Sequence, residues 1–147
     1  MAIRDKLSAI FSIKDSPEKI AISFAVGVFV GMSPILGLHT VLGLIFAWIF
    51  KLNKFVTIVG VYITNPWTII PIYTFATWFG AKLMGIEKIM PSIDWGSISI
   101  GTIFNELSHI LLPFVIGSTI LGFLSSIASY IIIYRAVTKS RQKREAQ

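Results

Sequence analysis

The 147-residue chain is 54% hydrophobic and only 14% charged, with a formal net charge of +6 and a mean hydropathy of +0.78. A soluble domain carries about a quarter charged residues, so this composition excludes a chain that covers itself with polar surface. With no cysteine, a disulfide framework, a thiol nucleophile and a zinc-finger pattern are excluded as well.

The charges are also segregated. Asp5, Asp15, Glu18, Glu87, Asp94, Glu106 and Glu145 all lie outside the long apolar stretches, as does every Lys and Arg. That segregation predicts an all-α integral membrane protein. A secretory signal peptide is not expected, because Asp5, Asp15 and Glu18 interrupt the basic n-region and no A-x-A-like site follows.

Residues 1–15 read as an interfacial N-terminal helix, with Ile3, Leu7, Ile10 and Phe11 at helical spacing. The membrane domain, 16–137, then opens on a helix start: Ser16 can cap, Pro17 fits the first position, and Glu18 suits the positive end of the dipole. The uncharged stretch Ile20–Phe50 has 31 residues, roughly 46 Å as one helix. This is too long for one ordinary span and too short for two. Broken at Ser33-Pro34, it predicts a re-entrant helical hairpin over 20–50. A second uncharged stretch, Phe55–Ala81, is broken at Asn65-Pro66 and reads as a Pro-broken crossing, with a second kink expected at Pro71. Residues 84–106, holding Pro91, Asp94 and Trp95, read as an interfacial connector. Residues 107–134 make the best complete transmembrane helix, with a bend expected at Pro113, and 138–147 form a basic cytoplasmic tail.

Two features bear on topology. Lys19 precedes Pro34 by fifteen positions, and Lys51 precedes Pro66 by the same fifteen, the kind of weak repeat that transporter folds carry. Placing the basic tail and Lys51/Lys54 inside requires an even number of crossings. A hairpin that enters and returns, a crossing outward over 55–81 and a crossing back over 107–134 meets that requirement. A symmetric repeat would instead favour two re-entrant hairpins and leaves the parity unsolved.

The run Ser16-Pro17-Glu18-Lys19-Ile20-Ala21, then Phe24-Ala25-x-Gly27-x-Phe29-x-Gly31 and Ser33-Pro34-x-x-Gly37-x-His39-Thr40, resembles a bacterial membrane family. Leu52-Asn53-Lys54 and Asn65-Pro66-x-Thr68 extend the resemblance, which covers about residues 14–135. That family is catalogued as domain of unknown function twenty sixty-two. The resemblance implies a multi-pass protein of the bacterial inner (cytoplasmic) membrane. Some members carry the domain joined to a glycosyltransferase, which implies work in the cell envelope or on lipid-linked sugars. The family assigns no catalytic residues.

Candidate function centres on helix ends. Half-helices starting at Pro34 and Pro66 at similar depth would bring unpaired N–H groups together as an anion site. Ser33, His39, Thr40, Asn65 and Thr68 would line it. Against this stands a plainer reading, in which Ser33 and Asn65 only cap their helices. An imidazole at His39 suits a proton relay or a phosphate contact, or equally a bond to a carbonyl freed by the Pro34 break. His39 and His109 lack the third ligand that a metal site needs, and no cofactor is called for. Gly27, Gly31 and Gly37 are candidates for close helix packing, within the hairpin or between copies. Lys139, Arg141, Lys143 and Arg144 are expected to contact anionic headgroups, while a nucleic-acid partner is not expected, because no basic face with interleaved aromatics accompanies them.

Without intramembrane acids or a Ser-His-Asp set, catalysis by this chain alone is disfavoured. The sequence therefore supports two readings: a small polytopic protein that binds or moves an anionic or lipid-like substrate, or a scaffold that anchors an envelope-biosynthesis enzyme. A homo-oligomer is expected in the first case, since so small a chain can hardly seal a pore alone.

Overall fold

A computed structural model of the chain describes residues 9–10, 13–35, 37–87 and 100–146. The principal elements are five helices: α1 (Pro17–Met32), α2 (His39–Ile49), α3 (Lys54–Val61), α4 (Ile69–Leu83) and α5 (Ile100–Glu145). Most of the interfacial helix expected over 1–15 lies outside the described residues, and so do Lys88, Pro91, Asp94 and Trp95 of the connector.

Helix α1 starts where its sequence says it should. Ser16 Oγ accepts from the Lys19 amide at 3.2 Å, and Pro17 takes the first turn. Asn53 does the same for α3, accepting from the Val56 amide at 3.1 Å. Helices α2 and α4 both start later than expected: α4 at Ile69 rather than at Pro66, and α2 at His39 rather than at Pro34, because Gly37 sits at φ +84°, a left-handed conformation that no helix can pass through. Pro71 produces no kink, since as the third residue of α4 it falls in the first turn, where a missing N–H costs nothing.

The last helix is longer at both ends than 107–134. It starts at Ile100, within the expected connector, and runs to Glu145, through the expected tail and past Pro113 without interruption. No proline lies between Pro91 and Pro113, and beyond Gly122 there is neither glycine nor proline, while Lys, Arg, Gln and Glu are good helix formers. Its 46 residues amount to about 69 Å. Leu107–Glu145 is long and apolar enough to cross a membrane.

Contacts fix the directions of the helices. Asn53 bonds Ser23 and Gly31 meets Val61, so α3 runs alongside α1 in the same sense. Ser126 Oγ donates to the Ala25 carbonyl, Gly122 packs on Met32 and Arg141 reaches Asp15, so α5 returns antiparallel to α1. Beyond the end of α1, α4 continues upward along the first half of α5, with Ala76 against Gly117 and Gly80 against Pro113. Helix α2 folds back beside α1 and α3, with Gly43 against Val61. The base of the bundle holds the apolar core of Ile10, Ile20, Phe24, Val56, Ile133 and Val137.

Gly27 and Gly31 pack against α3, not within the hairpin. A Cβ on Gly27 would lie on the Thr57 carbonyl oxygen and against Gly60 Cα, and one on Gly60 would strike the Phe24 carbonyl. Two backbones meet at this crossing, as small residues permit. Gly37 is not a packing glycine, because nothing lies near it and its role is the turn. Much of the surface outside these seams is apolar: Trp48, Trp67, Ile70, Phe123 and Ile132 are each at least 60% exposed.

Candidate functional site

The two proline breaks differ in how they satisfy their backbone. At the second, Asn65 and Thr68 close on each other. Asn65 Oδ1 accepts from the amides of Trp67 and Thr68 at 2.9 and 3.1 Å, while Thr68 Oγ1 accepts from the Asn65 amide at 2.9 Å and donates to the Ile63 carbonyl at 2.7 Å. Asparagine before proline is suited to this, since its oxygen spans two residues forward to the orphan N–H groups. The Asn65 Oδ1 and the Thr68 hydroxyl are thereby occupied by the local turn.

At the first break Ser33 ends α1 instead of starting α2. Its amide and its Oγ both donate to the Val30 carbonyl, at 3.1 and 2.7 Å. The Ser33 carbonyl, released by the helix end, receives side chains from two other helices. His39 Nε2, at the first position of α2, lies 3.2 Å away, and Tyr73 Oη, in the second turn of α4, donates to it at 3.2 Å. Tyr73 Oη and His39 Nε2 are 3.1 Å apart. The Ser33 carbonyl only accepts, whereas Tyr73 Oη both donates and accepts, so a proton on His39 Nε2 is the arrangement that satisfies all three contacts together. With the proton there, Nδ1 is an acceptor with no partner among the described residues.

Next to this junction α2 lacks a side-chain cap: Leu38 stands at the N-cap with nothing to offer the first-turn amides. Thr40 is exposed one position further on. Ser33 and His39 are therefore brought together, Thr40 lies beside them, and Asn65 and Thr68 form a separate cluster. Depth follows from packing. Met32 meets Gly122, twelve residues from Tyr134, so the junction sits about 18 Å along α5 from the end of its apolar part.

A second polar cluster ties the lower end. Asp15 accepts from Lys19 Nζ at 3.2 Å and from the Asn53 amide nitrogen at 2.6 Å, and Arg141 donates to the carbonyls of Ile13 and Asp15. Ser23 Oγ accepts from the Asn53 backbone amide at 2.9 Å and donates to the Lys19 carbonyl at 2.6 Å. The Asn53 bond holds the Asp15 carboxyl below its ordinary range; desolvation opposes this, and Lys19 and Arg141 add to it. Arg141 is thus engaged with backbone carbonyls, while Lys139, Lys143 and Arg144 are exposed.

Sequence reasoning missed Tyr73, Asp15 and Asn53 as members of these polar clusters. Tyr73 is hidden among Ile, Phe and Trp, and no local pattern marks a phenol that reaches forty residues back. Asn53 could have been found, because an Asn one residue ahead of the apolar run that begins at Phe55 is a helix-start signal.

These observations define a class: an all-helical chain built on one long apolar helix, with a polar junction at the first of two helix breaks. The chain belongs to the family described as an uncharacterized protein conserved in bacteria (DUF2062), which matches it over residues 1–146. No curated protein and no solved structure matches it.

Proposed function

We propose that the chain is a multi-pass protein of the bacterial inner membrane that binds or moves an anionic or lipid-like substrate at the start of α2. The α1–α2 unit would be the re-entrant hairpin, α3–α4 a broken crossing and α5 the return. The exposed apolar surface and the apolar length of α5 support a bilayer setting. The observation that carries the binding reading is the three-helix junction of Ser33, His39 and Tyr73, which fixes His39 and leaves Nδ1 beside an uncapped helix start.

In this reading Tyr73 and the Ser33 carbonyl position the imidazole through Nε2. An acidic ligand would deliver its proton to Nδ1, which turns an acceptor into a charged donor facing the resulting anion. The Thr40 hydroxyl and the first-turn amides of α2 would complete the contacts. Asn65 and Thr68 would support the fold alone.

The test is native mass spectrometry of the purified protein supplied with a polyprenyl phosphate. A phosphate-bearing adduct is expected for the wild type and for Asn65→Ser, and its loss for His39→Ala and Thr40→Val. An adduct indifferent to His39→Ala would overturn the assignment.

A further inference from the structure

The end of the bundle opposite the α4–α5 layer collects positive charge from three separate parts of the sequence. Arg141 grips the Ile13 and Asp15 carbonyls, and Asp15 grips Asn53. Lys14, the α2–α3 turn with Lys51 and Lys54, and the final turns of α5 with Lys139, Lys143 and Arg144 therefore meet at one end. Of the acids described there, Asp15 is occupied by Lys19 and Asn53, while Glu18 and Glu145 are exposed and form no ion pair among the described residues, so the basic side chains remain in excess. Lys51 and Lys54 have no carboxylate within ion-pair distance among the described residues.

A groove of about 580 Å³ opens at this turn, lined by Ala47, Trp48, Ile49, Lys51, Leu52 and Lys54. Two features of the groove have no structural use within the chain. Trp48 is 72% exposed. Lys54 stands at the first position of α3 with no acid in that first turn, so its charge opposes the helix dipole. An anion seated between Lys51 and Lys54 would offset part of their charge and complement the α3 dipole.

We infer that this groove is a site for the phosphate headgroup of an anionic phospholipid, with Lys51 and Lys54 holding the phosphate and Trp48 lying at headgroup level. The occupant is a lipid rather than free phosphate, because the apolar wall continues into the exposed face of α2 formed by Val41, Leu44, Ile45 and Ile49, along which an acyl chain can lie. Arg141 acts as a positioning residue here, since its guanidinium is spent on holding the three segments together. The inference rests on the membrane setting proposed above but not on the ligand at His39.

The experiment uses the full chain with Trp67, Trp78 and Trp95 replaced by Phe, reconstituted in vesicles. Trp48 fluorescence is titrated with brominated phosphatidylglycerol and, separately, with brominated phosphatidylcholine. Quenching by phosphatidylglycerol is expected at lipid fractions lower by on the order of tenfold. The preference should vanish in Lys51→Gln/Lys54→Gln and persist in Lys143→Gln/Arg144→Gln, with helix content unchanged in both. Equal quenching by the two lipids overturns the site while leaving the membrane setting intact. Quenching by neither overturns both, and reversal of the preference by millimolar inorganic phosphate overturns the lipid assignment.

Discussion

The breaks at Ser33-Pro34 and Asn65-Pro66 share a chemistry, a small polar residue before proline inside an uncharged stretch, yet they use it in opposite directions. Asn65 faces forward and closes its own turn with Thr68, so the second break is complete within a few residues. Ser33 faces backward onto Val30 and leaves its carbonyl to His39 and Tyr73, six and forty residues away. The difference lies in the residues on the far side of each proline. Thr68 can bond back to Asn65, whereas after Pro34 the chain turns through Gly37 at positive φ with no such return bond; neither α2 nor α4 has a side-chain cap. In the proposed reading the self-satisfied break supports the fold, and the break completed by distant helices is where a ligand competes for contacts.

The comparison is broken most severely at Gly31, which lies against the Val61 carbonyl and Thr64 and so joins the two breaks. Gly31→Val should separate α1 from α3 and lower stability by about 1–3 kcal/mol, read as an earlier unfolding midpoint in detergent. Asn65→Ala should cost about 1 kcal/mol by orphaning two amides, with Asn65→Ser recovering part of it and ligand binding unaffected in either case. Tyr73→Phe should cost about 0.5–1.5 kcal/mol and, unlike the Asn65 variants, weaken binding in the mass-spectrometric assay.

The smallest effect is expected at Asp15, remote from both breaks. Its folded carboxyl titrates below the ordinary value of 3.8, so its contribution is fully present above the unfolded value and is lost as pH falls through the folded one. Unfolding midpoints measured from pH 5 downward should fall below about pH 4, and Asp15→Asn should flatten that dependence. Solvent access to the pair keeps the effect small.

Much of this fold is legible in the sequence. The Ser16 cap, the two interruptions and the long final helix follow from local chemistry and from the distribution of charge, because capping and helix length depend on neighbours a few positions apart. The reach of α5 into 100–106 and through 138–145 is less so, since polarity suggests loop and tail where strong helix formers simply continue the helix. The junction itself is half legible. His39 stands out as an imidazole in an apolar stretch, but its partner Tyr73 comes from another helix, and only the path of the chain brings them together. The same holds for Arg141, whose partners at Ile13 and Asp15 lie more than a hundred residues away. Backbone carbonyls give the sequence nothing to mark them.

The central claim is that His39 is held through Nε2 and presents Nδ1 to an acidic ligand. The chain has two histidines, so nitrogen-15 imidazole spectra of the full protein in micelles separate them after a His109→Gln control. Without ligand, His39 should show a protonated Nε2 and an unprotonated Nδ1, and titration with phosphatidic acid should move Nδ1 to the protonated position while Nε2 holds. A proton on Nδ1 in the ligand-free protein, or a response confined to His109, would contradict the account.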